Sequence, residues 1–180
     1  MTSDAPTRKH SFWRRPLWLA FVFGCTVSAA ASGRFSVRLI ADGALSFAFV
    51  PAFEVAALAI VCRTGERARL PFAEAVDRFF AGNTPWLIWM TILAAALALV
   101  PPRSIGPLVK PALFGSVVPL VWSGYLDFRF FRDVMQRNGA GARRDLAFHR
   151  LIGWGAILTY FFGIAVWHEY ALRIPGWFGL

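Results

Sequence analysis

Apolar and polar stretches alternate five times along the 180-residue chain. The apolar ones run from roughly 16–32, 44–62, 84–101, 111–126 and 151–167. A helix that crosses a hydrocarbon core needs roughly 17–25 such residues. Flanking Trp and Arg side chains extend the shorter runs by snorkelling. The pattern predicts an all-α fold, a polytopic transmembrane bundle of five spans over residues 16–180. Residues 1–15 precede it as a basic, disordered tail without apolar periodicity. Trp13, Trp18, Trp86, Trp89, Trp154 and Trp167 flank the spans, where an indole ring is apolar and its N–H is hydrated.

Between the spans, the gaps differ. Gly33 to Asp42 is a short loop, whereas 63–83 and 127–150 are long. In the first long gap, Phe72, Val76, Phe79 and Phe80 recur at helical spacing after Pro71, with Glu74, Asp77 and Arg78 opposite. That predicts a short amphipathic helix, either lying in the membrane interface or packing its Phe residues against the bundle. Asp127-Phe128-Arg129-Phe130-Phe131-Arg132-Asp133 opens the second gap. It predicts an extension of the fourth helix with charges toward water, ended by Asn138-Gly139-Ala140-Gly141. Pro51 and Pro119 interrupt the second and fourth spans at corresponding places.

Charge orients the pattern. Of 19 basic residues, 14 fall in alternate gaps: Arg8, Lys9, Arg14 and Arg15 at the N-terminus, Arg63, Arg67, Arg69 and Arg78 after the second span, and Arg129, Arg132, Arg137, Arg143, Arg144 and Arg150 after the fourth. By the positive-inside rule these gaps are cytoplasmic, so the N-terminus is in and the C-terminus out. The ten arginines of the two long gaps form a basic cytoplasmic face attracted to anionic lipid headgroups. The formal charge of +9 therefore points to the bilayer and not to nucleic acid, for which there is no base-reading motif. The Arg- and Ala-rich composition suits the cytoplasmic (inner) membrane of a bacterium. The basic start and the Ser28–Ser32 run of the first stretch also fit a signal peptide, but its long apolar centre and the spans behind it favour a retained helix.

Candidate chemistry is sparse. Cys25 and Cys62 are expected at different depths, so neither a disulfide nor a cysteine metal site follows. There is no nucleophile elbow, phosphate loop or zinc-binding His motif, and no cofactor is implied. Glu54 stands out, because an ionisable group inside a span is costly and turns toward the bundle interior. Pro51 leaves the Phe47 carbonyl without its helical partner, so Phe47, Ser46 and Glu54 define a polar spot in the second span. Glu54 is expected to donate a hydrogen bond to Ser116, Ser123, Thr91 or Thr159. His149 and His168 are expected near opposite faces of the fifth span, and Asp145 near its start. Ser28, Ser32, Gly153, Gly155 and Gly163 permit close helix approach.

The run Ser46-Phe47-Ala48-Phe49-Val50-Pro51, the basic loop and amphipathic helix after it, and a third span opening at Pro85 resemble bacterial members of the Yip family. The resemblance is one of layout. It implies five spans behind a polar N-terminal segment and a trafficking-type or accessory role, and it assigns no functional residue. The sequence thus points to a membrane accessory or scaffolding protein without catalytic activity, acting with a partner subunit or as a homo-oligomer. The alternative is a small transporter or channel subunit using Glu54.

Overall fold

A computed structural model describes residues 13–64, 70–100 and 105–171, and these are helical without strands. The helices are α1 (Arg14–Ser32), α2 (Val37–Phe47), α3 (Phe49–Thr64), α4 (Phe72–Ala81), α5 (Thr84–Ala98), α6 (Gly106–Gly115), α7 (Val117–Arg129) and α8 (Gly139–Ala171), with a π-helical turn at Phe130–Val134. Three helical runs are long and apolar enough to cross a membrane: α1, Val37–Arg63 and Gly139–Trp167. The pair α4–α5, bent by 49°, makes a fourth if it counts as one span. The expected fourth span, 111–126, falls on α6 and α7, which are too short singly.

Each break has the same cause. The helix is interrupted at Ala48, at Gly82-Asn83 and at Ser116, each two or three residues before a proline. Proline has no N–H for the carbonyl four residues earlier, and its ring crowds that carbonyl. At the second break the Thr84 hydroxyl donates to the freed Ala81 carbonyl at 2.8 Å. The break at Ala48 does not end the span, because α2 and α3 together form one run of 27 residues. The loop expected over Gly33 to Asp42 is therefore mostly helix. Arg38 and Asp42, a weak pair at 3.9 Å, made that segment read as polar.

α1 and α2 form a close antiparallel pair. Gly33 ends α1 in the left-handed conformation, φ 65°, with its N–H on the Ala29 carbonyl. Ser28 Oγ donates to the Arg34 carbonyl at 2.9 Å and accepts the Ser36 N–H at 2.9 Å, so one hydroxyl holds both strands of the turn. Further along, Gly24 and Gly43 face each other. A Cβ on Gly24 would lie 2.2 Å from the Ile40 carbonyl oxygen, and one on Gly43 2.8 Å from Val27 Cβ. Of the glycines expected to admit close packing on α8, Gly153 meets Ala57, whereas Gly155 and Gly163 face open space.

The two long gaps come together at one end of the bundle. Leu58 and Val61 of α3, Val76, Phe79 and Phe80 of α4, Phe130 and Phe131 of the π turn, Met135 and Ala142 make one buried core there. α4 is thus a packed connector, with Val76, Phe79 and Phe80 inward and Phe72 exposed. Arg15 of α1 pairs with Asp77 of α4 at 2.8 Å, so Arg15 belongs to the folded helix and not to a tail. The segment 127–150 is also mostly helix, since α8 begins at Gly139. Asn138 caps α8 by accepting the Gly141 N–H at 2.7 Å.

The π turn closes on Gln136, which sits at φ 53°. The Met135 N–H bonds the Phe130 carbonyl and the Arg137 N–H the Phe131 carbonyl. A Cβ in this conformation costs roughly 1 kcal/mol. Gln136→Gly is therefore expected to stabilise the folded protein by about 0.5–1 kcal/mol, read as a higher midpoint in thermal unfolding of the detergent-solubilised chain.

Candidate functional site

A buried charged cluster ties α3, α7 and α8 together just above the aromatic core. α3 supplies Glu54, one turn beyond Pro51. Because the span begins at Val37, Glu54 lies toward its Arg63 end and not at its centre. α8 supplies His149 and Arg150, and α7 supplies Ser123 and Asp127. Ser123, Asp127 and His149 are buried almost completely.

The geometry divides into two coupled pairs. His149 Nε2 lies 3.2 Å from the Glu54 backbone carbonyl and 3.7 Å from Glu54 Oε2. A carbonyl only accepts, so Nε2 carries the hydrogen and donates it. The imidazole is wedged between aromatic rings, 4.6 Å from Phe79 and 6.1 Å from Phe131. Its Nδ1 has no hydrogen-bond partner. Beside it, Arg150 donates to Asp127 Oδ2 and, at 3.4 Å, to Ser123 Oγ. Ser123 also accepts the Trp86 indole N–H at 3.1 Å and donates to the Leu120 carbonyl at 3.2 Å. Asp127 Oδ1 has no partner, and it lies 3.0 Å from where a Cβ on Gly82 would be. Glycine at the α4–α5 break is what admits this carboxylate.

A second buried ion pair lies in the same region. Arg137 and Asp145 are 2.9 Å apart with side chains only 8% and 7% exposed. Asp145 thus serves the loop arginine and not the start of α8. By contrast, the pairs of the π turn are exposed: Arg129 and Arg132 both bond Asp133, and Arg132 lies over the Phe128 ring. The hydrogen bonds from Arg132 and then Arg129 hold the Asp133 carboxyl below the usual carboxylate range.

The expected site is therefore redrawn. Glu54 does face the bundle, and Pro51 is buried, but Ser46 is exposed and does not join them. Ser116, Ser123 and Thr91 each donate to a carbonyl of their own helix, and Thr159 is exposed. His149, expected at a membrane face, sits inside α8 against Glu54. Arg150, which follows His149 on α8, brings a cation into the same cluster. Of the ten arginines assigned to a basic face, Arg137 and Arg150 are drawn inward by Asp145 and Asp127. Arg63, Arg78, Arg129, Arg132, Arg143 and Arg144 remain exposed, while Arg67 and Arg69 lie outside the described residues, as do the side chain of His168 and all of His10. Asp127, expected to face water, is the most buried acid among the described residues.

One sequence signal pointed to this pairing. Asp127 ends an apolar run and Arg150 begins the next, and a chain that turns back places such ends side by side. Among the described residues, no group of three or more His, Cys, Asp or Glu is placed to hold a metal ion. Comparison with known proteins finds no matching family model, no matching curated protein and no matching solved structure.

Proposed function

We propose that this chain is a small integral membrane protein without catalytic chemistry that serves as an accessory or scaffolding subunit. α6 and α7 cross the bilayer as one broken span, which makes five. The N-terminus and the two basic gaps face the cytoplasm, in a bacterial inner membrane, and the C-terminus lies outside. This is the layout that the chain shares with the Yip family. One observation carries the reading: the described parts of both basic gaps fold into a single knob around Phe79, Phe80, Phe130 and Phe131. Its inward charges are consumed in the Arg150–Asp127 and Arg137–Asp145 pairs. What it offers outward, among the described residues, is Arg63, Arg78, Arg129, Arg132, Arg143 and Arg144. Such a surface holds anionic headgroups, and α8, with little of its apolar run covered by the chain itself, is free to lie against a partner helix or a second copy.

Single cysteines at Arg63 and Arg143 test the topology. Both are expected to react with a membrane-impermeant maleimide only after the cytoplasmic side is opened, and labelling of intact cells at either position removes the reading. Lipid contact has its own prediction. Each exposed arginine near an anionic surface contributes about 1 kcal/mol. Arg63→Gln, Arg143→Gln and Arg144→Gln combined are expected to bring the preference for brominated phosphatidylglycerol over phosphatidylcholine close to parity, measured by tryptophan quenching in bilayers.

The adjacency of Glu54 and His149 favours a second reading, a small transporter or channel subunit. Proton-dependent flux in liposomes that disappears in Glu54→Gln is the observation that would establish it.

A further inference from the structure

The two carboxyls of the cluster outnumber its cations. Glu54 and Asp127 bring two negative charges when ionised, Arg150 brings one positive charge, and the neutral imidazole brings none. With every acid ionised the cluster would hold one uncompensated negative charge inside an apolar bundle, an arrangement that is strongly unfavourable. One proton balances it.

We propose that Glu54, packed beside His149, forms a largely buried binding site for one exchangeable proton, held on the Glu54 carboxyl. Hydrogen-bond geometry chooses the atom. His149 Nε2–H is committed to the Glu54 backbone carbonyl at 3.2 Å. A second hydrogen would go to Nδ1, which is buried with no acceptor in reach, so the imidazolium would carry an orphaned N–H. Asp127 already accepts from Arg150, which favours its ionised form. The Glu54 carboxyl, with Oε2 3.7 Å from Nε2, receives no arginine hydrogen bond of the kind Asp127 Oδ2 accepts, and the proton is assigned to it.

The charged and titratable groups that face the pair are few. α7 contributes Asp127 and α8 contributes Arg150, while α4 and the π turn contribute only the rings of Phe79 and Phe131. His149 fixes the Glu54 backbone through its carbonyl and packs its ring beside the carboxyl. The site belongs to the protein whether or not protons cross the bilayer, so its test stands apart from the accessory and transport readings.

Infrared difference spectroscopy of the full-length protein in lipid nanodiscs tests it directly. A carboxylic-acid C=O band is expected at neutral pH. It should move on carboxyl-13C labelling of glutamate, vanish in Glu54→Gln, and shift in frequency in His149→Gln, where the imidazole beside the carboxyl is replaced. The glutamate label reads the wild-type protein, so the test survives if Glu54→Gln fails to fold. Absence of any such band in the wild type, a band insensitive to the glutamate label, or one that persists in folded Glu54→Gln overturns the proposal.

Discussion

Arg150→Ala is expected to destabilise the folded chain by about 3–5 kcal/mol, the cost of leaving a buried charge without its partner. Arg150 donates to both Asp127 and Ser123, and Asp127 is only 1% exposed. Its second oxygen already lacks a partner, so losing Arg150 strands the whole carboxylate. Arg144 is the control. It also contacts an acid, Asp145, but its own side chain is 74% exposed, and exposed pairs contribute at most about 1 kcal/mol. Arg144→Ala is thus expected to change little, because Asp145 retains Arg137. Double replacement, Asp127→Asn with Arg150→Gln, is expected to recover most of the loss, since no net charge then stays buried. Reversible unfolding in mixed micelles by SDS measures all three. Equal stability of Arg150→Ala and Arg144→Ala would show that the buried pair contributes nothing.

The second large effect belongs to the α1–α2 contact. Gly24→Leu is expected to cost about 3 kcal/mol or more, at the upper end of overpacking penalties. The obstacle to a side chain is the Ile40 backbone carbonyl at 2.2 Å and the Ala44 backbone nitrogen at 2.9 Å, neither of which can swing aside. Even Gly24→Ala is expected to separate the helices. Separation would also strain the Ser28 hydroxyl, which holds the turn between them through Arg34 and Ser36. Gly124→Ala and Gly155→Ala, where a Cβ meets nothing, are expected to leave stability unchanged or to raise it by about 0.5–1 kcal/mol. The same unfolding assay, paired with crosslinking between α1 and α2, separates loss of this contact from general unfolding. A Gly24→Leu protein as stable as wild type, with α1 and α2 still in crosslinking range, would contradict the packing.

These two sites differ in how far the linear pattern could reveal them. Helical class and the span-length runs follow from hydrophobicity alone, because a backbone in hydrocarbon must satisfy its own hydrogen bonds. Phe79 and Phe80 were readable as the inward face of a short helix from their spacing, and Pro51, Pro85 and Pro119 mark the helix breaks by removing a donor. Gly24 carried no such mark. Its neighbours are Ile40 and Ala44, and only the close antiparallel return of α2 makes the absence of a Cβ matter.

Span boundaries failed for a related reason. Arg38 and Asp42 read as loop, and Arg143 and Arg144 read as part of the gap before the fifth span. Both segments are helical, since helix hydrogen bonds are local and tolerate charged side chains on an exposed turn. The acids and bases were misassigned more thoroughly. Asp127, Arg137, Asp145 and Arg150 look like a solvated charge run along the chain, yet each finds an opposite charge 8 or 23 residues away. His149 looks like a helix-end residue until α3 brings Glu54 against it.

Composition and periodicity alone decide that the chain is helical, apolar enough to enter a membrane, and basic in alternate gaps. Those properties are sums over neighbouring residues, and local sequence contains them entirely. Which charges are buried and paired, which glycines admit a second helix, and which histidine meets Glu54 are decided by tertiary contact. Each depends on distances between residues far apart in the chain, and burial turns such a contact from a minor surface effect into one of several kcal/mol.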